Sequence, residues 1–122
     1  MNNTTVATLM LGDNQVDQLS DPMRGDGYYG YRDGSHTLAV TFNNFIGRIQ
    51  VEATLEINPS EADWFPVWMN RVTPYKQYAT ATNGTESFSV RGNFVLIRFR
   101  KMRSYLTDTS SVGDITKVML SI

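Results

Sequence analysis

At 122 residues the chain carries one domain's worth of core, and its 41% hydrophobic and 19% charged content is ordinary globular usage, which excludes a fibrous, disordered or membrane-embedded composition. The net charge of −1 provides neither a nucleic-acid footprint nor an acidic tail. With no cysteine, a disulfide framework, a thiolate zinc site and a cysteine nucleophile are ruled out together.

The segment from Met1 to Ala7 lacks the basic start and long apolar run of a signal peptide, and no stretch approaches the roughly 18 apolar residues of a membrane span. The expectation is a protein made and folded in the cytosol. Its start at a methionine and its end at Ile122, inside an apolar alternation, read as a complete gene product with a single domain over 1–122.

Val6 to Leu11 reads as a first strand, ended by the turn-forming Gly12-Asp13-Asn14. Residues 20–35, with four glycines, one proline and three tyrosines and no period of 2 or 3.6, read as a long loop. Strands follow at about 37–43 and 47–57, joined as a hairpin at Asn43-Asn44. The second is the clearest signal in the chain: every odd position from Ile49 to Ile57 is apolar and every even position from Arg48 to Glu56 is polar.

Asn58 to Asp63 reads as a turn with one helical turn begun by Pro59, and Pro66 makes Trp64 to Met69 a short edge strand whose Trp64, Phe65 and Trp68 cap one end of the core. Tyr75 and Tyr78 fall in a loop. Strands at about 85–91 and 94–103 flank a break at Gly92-Asn93, and after the polar segment from Thr107 to Gly113 a last strand covers Ile115 to Ile122. Seven or eight short strands in one domain predict an all-β, antiparallel β-sandwich of jelly-roll type. Alternation assigns Val40, Phe42, Ile49, Val51, Leu55, Val95, Ile97, Phe99, Val118 and Leu120 to the core and leaves Gln50, Glu52 and Thr54 on an exposed or subunit-facing surface.

Chemistry-bearing residues are sparse. His36 is the only histidine, so a histidine dyad and a histidine-rich metal site are impossible within one chain, and no nucleophile elbow, phosphate-cradling loop or zincin motif is present. Glu52 and Glu56 read as solvated charge and Glu61 and Asp63 as capping acids, so no carboxylate pair stands out for glycoside hydrolysis. Asp21, Asp26 and Asp33 offer oxygen atoms to a cation but lack the alternate spacing of a calcium loop, and solvated turn acids are the simpler reading. Arg24-Gly25-Asp26 spells an integrin-type tripeptide, and Asn3-Thr4-Thr5 and Asn83-Gly84-Thr85 match glycosylation acceptors; without a secretion signal all three read as coincidence.

Two features remain as candidate sites. Arg24, Asp26, Tyr28, Tyr29, Tyr31 and Arg32 form an aromatic loop suited to an interface or a ligand, because a tyrosine ring buries apolar area while its hydroxyl stays wet. Arg98, Arg100 and Arg103, with Lys101, form a basic stripe read as a wet strand face or an intersubunit salt-bridge row rather than a nucleic-acid surface. No catalytic residue, no metal site and no cofactor is expected.

With Gly47-Arg48-Ile49, Thr54-Leu55, Asp63-Trp64-Phe65 and Gly92-Asn93-Phe94-Val95, spread over most of residues 38–100, the chain resembles small β-sandwich virion proteins of tailed bacteriophages, in particular contractile-tailed phages of aquatic bacteria. The resemblance implies a non-enzymatic structural component of the particle, in the tail, baseplate or neck or decorating the head surface. It would be assembled in the host bacterial cytoplasm and act through contacts with other virion proteins and with itself as a homo-oligomer, with no nucleic acid and no membrane. The wider shape is similar to galactose-binding-like jelly rolls, which keeps a carbohydrate-binding module for host-surface recognition as the alternative.

Overall fold

A computed structural model describes residues 6–11, 17–29, 34–67, 72–103, 106 and 113–121. Its centre is one 20-residue strand, β4 (Ser35–Thr54), on which most of the other strands hang. Along one edge of β4 run β6 (Lys76–Arg91) and then β5 (Phe65–Val67); along the other run β8 (Asp114–Ser121) and then β7 (Leu96–Met102). β1 (Val6–Leu11) extends β8, while β2 (Gln18–Leu19) and β3 (Met23–Arg24) border β7. All described pairings are antiparallel, and the all-β fold is an antiparallel sandwich in which the sheet turns over along β4.

The expected hairpin at Asn43-Asn44 is instead a corner inside this strand. Leu38, Val40 and Phe42 point inward from even positions, whereas Phe45, Ile49, Val51 and Ala53 point inward from odd ones. A period-2 strand changes parity only by accommodating an extra residue. Here the register with β6 shifts between Phe42 and Phe45 and again between Phe45 and Gly47, and Asn44 adopts φ 52°, a left-handed conformation that asparagine tolerates. Asn83 of β6 braces the corner: the Asn44 N–H donates to Asn83 Oδ1 and Asn83 Nδ2 donates to Asn44 Oδ1, both at 3.0 Å. The apolar Phe45, out of place at a hairpin tip, fills the inside of the bend with Phe42 and Tyr78, whose rings lie 5.5 and 6.1 Å from it. Tyr78 therefore sits in the core on β6 and not in a loop.

Residues 20–35, read as a loop, begin as a strap along the edge of β7. Gln18 and Leu19 pair with Lys101 and Arg100, Ser20 exchanges hydrogen bonds with the backbone of Phe99 (2.9 and 2.8 Å), and Met23 and Arg24 pair with Ile97 and Leu96. The Gly25 and Gly27 N–H groups then donate to the Val95 and Phe94 carbonyls. A Cβ on Gly27 would overlap the Asn93 carbonyl, so this glycine marks close backbone approach. A 3-10 turn over Asp26–Tyr29 follows.

The core gathers both halves of the sandwich: Leu38, Val40, Phe42, Val118 and Leu120 meet Ile49, Val51, Ile97 and Phe99. Val95 is half-buried, and Leu55 is a misassignment at 65% exposure. β4 pairs with β7 only as far as Thr54–Leu96, so the alternation of Leu55 and Ile57 runs on past the sheet that would cover it. Conversely, Glu52 and Thr54 are buried and not at the surface: β5 flanks this end of β4 in the sheet, and Glu61 and Trp64 of the segment before it lie against Arg98, the partner of Glu52. Truncating Ile97 or Phe99 to alanine is expected to cost about 2–5 kcal/mol as a cavity, while Leu55→Ala should stay within about 0.5 kcal/mol. Urea denaturation checks both, and a costly Leu55→Ala would contradict its placement.

Candidate functional site

Where β4 and β7 run side by side, the register sets Glu52 opposite Arg98 and Gln50 opposite Arg100 on the outer face. Arg98 Nε donates to Glu52 Oε1 at 2.6 Å; Arg100 Nε and Gln50 Nε2 donate to Glu52 Oε2, each at 3.1 Å. Both Glu52 and Arg98 are buried, and a buried carboxylate with this many donors is compensated for its lost hydration.

The remaining nitrogens of Arg98 form a bidentate fork with Glu61, Nη1 to Oε1 at 3.0 Å and Nη2 to Oε2 at 2.9 Å. Glu61 comes from the 3-10 turn over Glu61–Asp63, where Asp63 Oδ2 accepts from the Ser60 N–H at 2.8 Å and holds the turn's entry. The next residue, Trp64, lays its ring over the guanidinium of Arg98 at 4.1 Å. The Glu61 hydrogen bond raises the Arg98 pKa further above its ordinary value, and the same contact holds the Glu61 carboxyl below the usual carboxylate range.

These groups form one end of a cleft of about 610 Å³ between the β2–β3 strap and the 57–64 segment. Arg98, Glu61 and Trp64 line it with Asp21 and Asn58, and Leu19 and Ile57 stand as exposed apolar side chains on its walls. A second ionic cluster closes another part of the sandwich. Lys101 continues the inward parity of Ile97 and Phe99, is fully buried, and donates from Nζ to Asp114 Oδ1 at 2.7 Å. Arg103 Nη2 lies 3.4 Å from the same oxygen and also donates to the Gly113 carbonyl; burial lowers the Arg103 pKa.

The basic stripe is thus no wet face: Arg98, Lys101 and Arg103 are buried, Arg100 is half-buried, and all four are paired with acids of the same chain. Of the aromatic loop, Arg24 and Tyr28 come together, the guanidinium 4.4 Å from the centre of a ring that is 38% exposed. Asp26 and Tyr29 belong to the same turn by backbone, whereas Tyr31 and Arg32 lie outside the described residues, as do Asp33 and Trp68. His36 is buried and stacks on Phe94 at 5.9 Å. Among the described residues no three His, Asp or Glu side chains gather as metal ligands, and no helix is long and apolar enough to cross a membrane. Sequence reading took Glu52 for solvated charge, Glu61 for a capping acid and Trp64 for a core cap; what unites them on Arg98 is a cross-strand register and the crossing of the 3-10 turn.

No protein-family model matches the chain, and no curated protein matches it. Solved structures share its fold. The SPBc2 prophage-derived protein YomS matches with a TM-score of 0.57, covering 98% of this chain and 91% of that one at 11% identity. The CBM36-1 domain of a multidomain xylanase from the hindgut metagenome of Trinervitermes trinervoides gives 0.51, covering 98% and 97% at 6% identity. The K2 cleaved adhesin domain of Lys-gingipain gives 0.50, covering 87% and 62% at 9% identity. At these identities the likeness is one of fold alone: the chain is a β-sandwich, as these structures are.

Removing one partner of the buried pair should be costly. Arg98→Ala leaves Glu52 short of its closest donor and is expected to cost about 3–5 kcal/mol, whereas Arg98→Met with Glu52→Gln should recover much of that loss. A denaturation cycle over the four proteins tests this. The lowered Glu61 pKa fixes a pH dependence as well: its contribution is fully present above the ordinary carboxylate range and disappears as pH falls through the depressed folded value. Melting temperatures taken from about pH 7 down to about pH 3 should therefore fall less steeply for Glu61→Gln than for the parent.

Proposed function

We propose that the chain is a non-enzymatic, one-domain structural component of a tailed-phage particle, placed in the tail, baseplate or neck or on the head surface, and acting through protein–protein contacts. The observation that carries this reading is the cleft. Its arginine, Arg98, is already engaged with Glu52 and Glu61, its walls carry the exposed apolar Leu19 and Ile57, and Leu55 and Phe65 are exposed on the flanking segments. Apolar side chains set around a satisfied polar centre suit docking, not turnover. His36 is packed in the core, and Glu52, the buried carboxylate of the site, serves Arg98 and Arg100.

The resemblance of residues 38–100 to small β-sandwich virion proteins of contractile-tailed phages supports the particle assignment, as does a fold shared with a prophage-derived protein. Homo-oligomerisation fits the topology. Among the described residues β6 pairs only with β4, which leaves a 16-residue edge for strand-to-strand contact, and the Arg24–Tyr28 turn presents a second surface. In a symmetric particle each such contact is repeated, so a modest interface suffices.

Carbohydrate binding is the second reading, favoured by the fold shared with the CBM36-1 domain and by Trp64, Asn58 and Asp21 in one cleft. Mass spectrometry of purified particles should find the protein in stoichiometric amount, and a glycan array should stay silent. Absence from particles together with a selective glycan signal would reverse the order of the two. Chelator treatment is expected to leave the melting temperature unchanged.

A further inference from the structure

We propose that the cleft is a carboxylate-binding site for an acidic side chain of a protein partner, in which Glu61 is a resident carboxylate that the incoming one replaces on Arg98. The inference rests on the protein-contact reading above and gives that contact its chemistry.

Arg98 is oriented without Glu61. Its Nε is tied to Glu52 at 2.6 Å and its plane is stacked on Trp64 at 4.1 Å, so the two Nη groups form a fixed fork facing the cleft. That fork matches the geometry of a carboxylate. The group now filling it is held loosely by comparison. The side chain of Glu61 is 78% exposed, against 6% for Arg98, and it stands on a three-residue 3-10 turn. An exposed carboxylate contributes little net free energy to such a pair, so exchanging it for another costs little.

Charge counting requires an anion there all the same. Arg98 and Arg100 bring two positive charges and share the single carboxylate of Glu52, so the cluster reaches neutrality only with a second carboxylate on the fork. Asp21 on the cleft wall disfavours a multiply charged ligand, which selects a lone carboxylate over a phosphate or a polyanion. The walls select its carrier. Leu19, Pro22, Ile57, Pro59 and Leu96 suit the apolar neighbours of an acidic residue in a peptide, and one face of Trp64 is already covered by Arg98.

The experiment is an NMR titration following the Trp64 indole and Arg98 Nε signals, with N-acetyl-Leu-Glu-Leu-amide, its Gln analogue and glucuronate as probes. In the parent protein the Glu peptide should shift both signals and the Gln peptide neither. In Glu61→Ala, where the competing carboxylate is gone, the Glu peptide should bind up to about fivefold more tightly, the size of one exposed ion pair. Arg98→Lys, which keeps the charge and loses the fork, should abolish the response, with its amide spectrum reporting that the fold persists. A folded Glu61→Ala protein that ignores the Glu peptide would overturn the site. Binding of glucuronate but not the peptide would overturn the partner class in favour of an acidic glycan. Neither result depends on particle mass spectrometry, so failure of the virion assignment and failure of this site are read separately.

Discussion

The parity change inside β4 is the constraint from which the rest of the structure follows. A strand of 20 residues with strict alternation would present one apolar face to one partner sheet. Taking the extra residue at Asn43 to Phe45 turns the chain's inward face from even to odd positions, so a single strand supplies Leu38 and Val40 to one half of the core and Ile49 and Val51 to the other. Because β8 pairs with the first half and β7 and β5 with the second, while β6 follows β4 around the corner, the bend sets how the two halves close. The stacking of Phe42, Phe45 and Tyr78 fills the space this opens.

The cleft is a consequence of where that strand stops pairing. Beyond Thr54 the chain leaves β7, crosses over the outer face through the 3-10 turn of Glu61–Asp63, and returns as β5. The crossing covers Glu52 and Arg98 without reaching the β2–β3 strap on the far edge of β7, and the gap between the two is the cleft. Burial of Glu52 and Arg98 is tolerable because each satisfies the other, while Glu61 and Trp64 complete the shell of Arg98. Lys101, Arg103 and Asp114 solve the same problem elsewhere, where inward parity carries cations into the interior and an acid on β8 meets them.

What the fold shares with other proteins is architecture. A sandwich of this topology appears in a prophage-derived protein and in a carbohydrate-binding module with under 12% identity to this chain, so the scaffold by itself assigns no ligand. Any distinction comes from the cleft walls and from the groups that line them. The cation there is Arg98, and what occupies its fork is an exposed side chain of the same molecule.

The sequence by itself determined the strands whose apolar residues alternate. The first strand at Val6 to Leu11, the inward set Ile49, Val51, Ile97 and Phe99, and the all-β sandwich class were legible because period 2 is a local property of consecutive residues. Even the bend was written there, as a shift from even to odd apolar positions, though Asn43-Asn44 reads equally as a hairpin turn when the partner strand is unknown. The first half of β6 and the β2–β3 strap left no such trace: their inner positions are few, and Gly25 and Gly27 allow close approach to the Asn93 and Phe94 backbone that leads into β7, a need created by another segment. The burial of Glu52, the pairing of the basic residues and the exposure of Leu55 were decided only in three dimensions. Whether a charge is wet or paired, and whether an apolar residue is covered, depends on which distant segment crosses over it.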